Sequence, residues 1–177
     1  MHGGTVPAQD LKAQPGTGWN TPWIWLIILL PIIPSVLVMF VPWGDMFNVD
    51  YLYNNDPMAM NRAMLGLYLS PAYLLSIGLG WVIFGLNVFF AYRDFANLRA
   101  MGVPKPFHWA WQFLSPVYVI GRSVVVIRRT GRGAAPLWAL GGTLVIGLLL
   151  AGVIIAVMLS GMGDMMGEIM RYSSTSP

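Results

Sequence analysis

Apolar residues are not spread evenly along this chain. They gather into three runs of eighteen or more, and the polar residues collect between them. A helix of roughly 20 residues at about 1.5 Å rise crosses a hydrocarbon core, so the runs predict spanning helices over about 23–41, 64–90 and 137–159. In the first run Pro31 and Pro34 each remove a helical hydrogen bond, which predicts a kinked helix facing protein, and Trp23, Trp25 and Trp43 bracket it as interfacial aromatics do. The second run is long enough to tilt or to begin irregularly before Pro71, and its helix continues into water through Arg93, Asp94 and Arg99 until Gly102 stops it ahead of Pro104. Ala72, Ser76 and Gly80 form a ridge of small residues on the second run, as do Thr143, Gly147 and Ala151, and Gly152, Ala156 and Ser160, on the third. Such ridges admit a second helix closely. Asn87, near the end of the second run, asks for a polar partner or the interface.

Between the second and third runs, Phe107–Ile127 is nearly apolar enough to span. If it crossed, either Lys105 or the Arg128, Arg129, Arg132 cluster would have to lie outside, against the charge pattern. At 100° per residue, His108, Gln112, Ser115 and Arg122 share one arc of the wheel, and Pro116 disfavours helix at Ser115. Two short elements divided near Pro116, lying on or dipping into the inner face, are the expectation. The fold class is therefore all-α integral membrane: three transmembrane helices plus an interfacial or re-entrant helical element between the second and third.

Composition agrees, with 56% hydrophobic residues, 10% charged and a mean hydropathy of +0.64. Residues 1–21, rich in Gly, Pro, Thr and Gln, read as a flexible tail. Residues 22–160 read as the membrane domain, and 161–177 as a short amphipathic piece with a disordered end. No basic region precedes the first run, so it is expected to remain as an anchor. The absence of Cys excludes disulfides, thiolate metal sites and cysteine nucleophiles.

Charge then orients the chain. Residues 91–136 hold seven of the ten Lys and Arg against the single acid Asp94, whereas the loop after the first span carries Asp45, Asp50 and Asp56. The positive-inside rule places 91–136 and the N-terminus in the cytoplasm and the 43–63 loop and C-terminus outside, in a multi-pass protein of the plasma membrane.

Candidate chemistry is sparse. The partner- or lipid-binding candidates are His108, Trp109, Trp111, Arg122, Arg128, Arg129 and Arg132, and the helix-packing candidates are Ala72, Ser76, Gly80, Thr143, Gly147 and Ala151. His108 lacks the further ligands a metal or catalytic site needs, and Trp109 and Trp111 suit an interface. Arg122 is costly within an apolar segment, so it is paired, functional or snorkelling along Val119 and Val126; snorkelling is the simplest reading. Arg128, Arg129 and Arg132 set topology and suit a phosphate on an anionic lipid or a partner. Ten of the twelve Met fall at or beyond the outer ends of the spans, with Met162, Met165, Met166 and Met170 at helical spacing, which suits either Cu(I) thioether ligation or adaptable packing. Asp164 and Glu168 read as a solvated face. With no Walker loop, GxSxG, HExxH or dinucleotide fingerprint, nothing argues for an enzyme, a cofactor or nucleic-acid binding.

The run RAMGVPKPFHWAWQFLSPVYVIGRSVVVIRRTGRGAAPLW resembles the C-terminal membrane region of actinobacterial integral membrane proteins in which a small soluble Trp-containing domain often precedes the membrane segment; the resemblance leads us to expect the short Gly/Pro tail in that domain's place here. The resemblance implies a fold and no reaction. The functional expectation is an accessory or scaffolding subunit of a larger membrane assembly, contacting lipids and other subunits, with a homo-oligomer possible. The alternatives are a pore or transporter component with a re-entrant element at 107–127, and copper handling at the outer Met-rich face.

Overall fold

A computed structural model describes residues 12–47 and 58–175 of the chain. Every regular element among them is helical, and three helices are long and apolar enough to cross a membrane: Pro22–Phe40, Pro71–Ala100 and Ala135–Ser174. The chain divides into two compact units, Met1–Pro31 with Trp81–Leu144, and Ile32–Gly80 with Val145–Pro177.

The helices follow from local signals. The prolines of the first run break it: α1 (Pro22–Leu29) has Pro at its favoured first position, Leu30 and Pro31 form the break, and α2 (Ile32–Leu37) passes into a 3₁₀ turn at Val38–Phe40. Pro34 is tolerated because it lies in the first turn of α2. The second run divides as well. Helix α3 (Ala59–Tyr68) ends before Ser70, whose hydroxyl accepts from Tyr73 N–H at 3.3 Å and caps α4 (Pro71–Ala100). The span thus starts at Pro71, and residues 64–68 belong to the preceding helix. At the far end Gly102 takes a left-handed φ of +85° and Val103 N–H returns to the Leu98 carbonyl at 3.0 Å, a glycine stop.

In the first unit the sequence after α4 folds back along it. Val103 packs with Leu98, the His108 ring lies 5.4 Å from Phe95, Trp109 6.0 Å from Tyr92, and Phe113, in the 3₁₀ turn Trp109–Leu114, 6.2 Å from Phe84. Ser115 then turns the chain with φ 44°, and α5 (Pro116–Thr130) runs back the other way: Tyr118 meets Ala91, Arg122 meets Asp94, and Val126 packs with Leu98. Residues 103–130 therefore form a hairpin that leaves from and returns to one end of α4. The two expected elements and the bend at Pro116 are both present.

The core of this unit joins Ile24, Ile27 and Ile28 of α1, Ala91 of α4, and Tyr118 and Val119 of α5, with Ala139 and Leu140 of α6 (Ala135–Thr175) against it. Asn87 finds its partner here, donating to the Ile27 carbonyl at 3.4 Å. Residues 12–21 differ from the expected free tail: Ala13 N–H donates to the Arg129 carbonyl at 3.0 Å, and Trp19 packs with Leu98, Val103 and Val126. Gly133, with φ +108°, allows this, because a Cβ there would stand 3.1 Å from both Trp19 and Val126. Residues 1–11 lie outside the described residues.

In the second unit Phe47 packs on α6 where Gly161 leaves room, since a Cβ at Gly161 would come within 2.5 Å of the ring. Trp43 donates to the Val38 carbonyl at 2.9 Å. Helix α6 continues unbroken to Thr175, so the piece expected to be separate from 161 onward is, over its described residues 161–175, a continuation of the third long apolar helix. No proline interrupts it, and its glycines weaken the helix without stopping it. Asp50 and Asp56 of the acidic loop lie outside the described residues.

Candidate functional site

The expectation that Arg122 snorkels to the surface is corrected: its side chain is 0% exposed, as is that of Asp94. Arg122 Nε donates to Asp94 Oδ2 at 3.1 Å and Nη2 to Asp94 Oδ1 at 3.2 Å, a bidentate pair, and Nη2 also reaches the Trp19 carbonyl at 2.8 Å. Tyr118 Oη donates to Asp94 Oδ2 at 2.7 Å, and Thr21 Oγ1 donates to Asp94 Oδ1. One carboxylate therefore ties α4, α5 and the N-terminal segment together. The physical reason is that an unpaired guanidinium inside an apolar unit costs several kcal/mol, by order of magnitude, whereas an ion pair with its lone pairs occupied is tolerated. Burial first, and the Asp94 carboxylate second, push the Tyr118 phenol well above its ordinary range, so it stays a donor. Arg122 Nη1, Ser123 Oγ and Gln112 Oε1 are buried with no partner among the described residues.

The other sequence candidates fall into separate places. Arg128, Arg129 and Arg132 come together with Lys12, which the sequence reading left out, around a groove of about 910 Å³ lined also by Gly16, Thr17 and Trp19. Arg129 also lines the groove, and its Nη1 donates to the Lys105 carbonyl. Its partial burial lowers its pKa from the ordinary guanidinium value. His108 belongs to a second, smaller groove of about 460 Å³ with Phe95, Arg99 and Lys105, and its Nδ1 accepts from Ala110 N–H at 3.2 Å. Trp109 stacks on His108, with centroids 5.6 Å apart, while Trp111 is exposed beside Phe107. The polar arc expected from the wheel is not one surface: His108 and Ser115 are exposed, but Gln112 is 2% exposed and Arg122 fully buried. The basic residues before the hairpin lie on aromatics, Arg93 over Trp23 at 5.1 Å and Arg99 over Phe95 at 5.6 Å.

The packing ridges differ in burial. Ser76 is buried and Ala72, Gly80 and Thr143 are half-buried, but Gly147 and Ala151 are exposed, and a Cβ at Gly80 or Gly147 would meet no other atom within 4 Å. Met162, Met166 and Met170 form an exposed stripe on α6, Met165 is half-buried beside them, and Asp164 is exposed.

Asp94 was the residue that sequence reasoning missed. It was visible as the one acid in the basic stretch, and Tyr118 and Arg122, four apart, share a helical face that an acid could serve. No protein-family model, curated protein or solved structure matches the chain, and the functional reading rests on the geometry above.

Proposed function

We propose that the chain is an accessory or scaffolding subunit of a larger membrane assembly, and that helix α6 is its main contact with the other subunits. The observation that carries this is the state of α6: it is the most apolar of the three candidate spans, yet none of its most apolar window is buried within the chain. Its exposed side chains are interrupted by the exposed small residues Gly147, Ala151 and Gly152, which let another helix approach closely. In this reading the 91–136 face, where the end of α4 and the end of α5 meet around Trp19, is cytoplasmic because of its charge.

The hairpin 103–130 is then a re-entrant element. Ten residues of α4 separate Asp94 from Phe84, which sits beside the hairpin tip, so with Asp94 at the inner interface the tip lies about 15 Å deeper, near the bilayer centre. Its polar residues support a structural role over a conduction path, since Gln112 and Arg122 are packed inside the unit.

The test is photo-crosslinking in intact membranes from probes at Leu148, which is 73% exposed, and at Trp138, 82% exposed at the start of the same helix. The expected result is a discrete protein adduct from Leu148. Adducts to lipid alone from Leu148 would refute α6 as a contact surface.

A further inference from the structure

We propose that the groove between the N-terminal segment and the end of α5 is a binding site for the phosphate of an anionic phospholipid headgroup, held by Lys12, Arg128 and Arg132. The inference rests on the reading of this face as the inner, membrane-proximal one, and gives that face its ligand.

Charge argues first. The groove is lined by residues 12–20 and 128–132, and no acidic side chain is among them, whereas the acid of this unit that the structure describes, Asp94, is buried and occupied by Arg122, Tyr118 and Thr21. Arg128 and Arg129 in the last turn of α5 are explained by the helix dipole alone. That account does not extend to Arg132, which lies beyond the helix, or to Lys12, more than a hundred residues away in sequence, and the fold brings both to the same groove. Arg129 uses one donor on the Lys105 carbonyl, and the side chains of Lys12, Arg128 and Arg132 make no hydrogen bond or ion pair among the described residues.

The walls are built rather than accidental. The Gln14–Thr17 turn is closed by Thr17 N–H to the Gln14 carbonyl at 3.1 Å and reinforced by the Thr17 hydroxyl at 2.7 Å, with Gly16 left-handed at its tip. Ala13 is bonded to Arg129, and Thr130 Oγ1 accepts from Arg132 N–H at 3.3 Å, so both rims of the groove are fixed. Phosphate needs donors and positive charge, and this groove offers both with no carboxylate among its described lining residues.

A lipid is favoured over a soluble phosphate by position. The groove opens beside the first residues of α1 and α6, helices apolar enough to span, and Trp138 is almost fully exposed one turn into α6, where an interfacial aromatic lies level with lipid phosphates.

The experiment uses the full chain, reconstituted into phosphatidylcholine vesicles with and without phosphatidylglycerol, followed by native mass spectrometry of the retained lipid. Wild type should keep phosphatidylglycerol in preference to phosphatidylcholine, and the variant K12Q/R128Q/R132Q should lose roughly a hundredfold in that affinity. A second variant, R93Q/R99Q/K105Q, removes equal charge outside the groove and should lose far less. Equal loss in both variants, or no preference in wild type, overturns the site. Glycerol phosphate in solution should fail to displace the lipid; if it displaces it, the site is for a soluble phosphate compound and the lipid assignment is wrong. Both variants leave Asp94 and Arg122 in place, so both should still unfold cooperatively, with the control, which also loses the contacts of Arg93 with Trp23 and of Arg99 with Phe95, no more stable than the groove variant. Crosslinking from Leu148 reports on subunit assembly separately, so loss of lipid with crosslinks retained removes only this inference.

Discussion

Replacing Arg122 by Leu tests the buried carboxylate as the joint of the first unit. Both partners are fully buried, so solvent does not screen the interaction, and Asp94 would lose two hydrogen bonds of 3.1 and 3.2 Å while keeping those from Tyr118 and Thr21. Removing one partner of a buried pair costs about 3–5 kcal/mol. For a chain of this length that corresponds to a fall in Tm on the order of 10 °C. Asp94→Leu should cost a similar amount. The double variant Asp94→Leu/Arg122→Leu should cost well under the sum, because no uncompensated charge remains, giving a coupling of about 2 kcal/mol or more. The assay is unfolding of purified protein in one detergent by tryptophan fluorescence, with Arg128→Gln as an exposed control expected to stay within about 0.5 kcal/mol. An Arg122→Leu variant as stable as that control, or strictly additive single losses, would refute the reasoning.

Gly121→Ala should destabilise the hairpin by about 1–3 kcal/mol, since the new Cβ would lie 2.5 Å from the Phe107 ring; unchanged unfolding would mean the two limbs of the hairpin are not packed. Tyr118→Phe should be less stable than wild type at neutral pH by about 1.5–3 kcal/mol for a lost bond to a carboxylate. The gap should narrow above about pH 10: the phenol's folded pKa is raised, so the unfolded chain releases its proton first and only the wild type is destabilised as pH rises. A gap that widens with pH would contradict the burial argument. Gly147→Leu should leave monomer unfolding unchanged, as its Cβ meets nothing within 4 Å, and should weaken assembly with other subunits in pull-down. With no native Cys, an impermeant thiol reagent should label Ser173→Cys from outside and Lys105→Cys only after lysis; external labelling at position 105 would invert the topology.

The spans, the proline break in the first run, the Gly102 stop and the bend at Pro116 were legible because each depends on local backbone chemistry that a residue type announces. Ser70, whose side chain caps α4, is an equally local signal, and it starts the second long helix at Pro71 rather than at 64. The site was less legible because it is made of distant residues. Arg122 read as a snorkelling residue from its neighbours Val119 and Val126, but Asp94, twenty-eight positions earlier, decides its fate. The N-terminal segment read as free from its composition, although the surface that orders it belongs to α4 and α5. Pairing across α4, α5 and the N-terminal segment is a tertiary property, and single-segment periodicity carries no record of it.

The central claim is that this chain works as one subunit among others, and native mass spectrometry of the gently solubilised assembly addresses it most directly. The account predicts masses containing this chain together with at least one different protein, and the loss of that species in Gly147→Leu. A homo-oligomer that conducts ions when reconstituted into liposomes, with no second protein present, would contradict it.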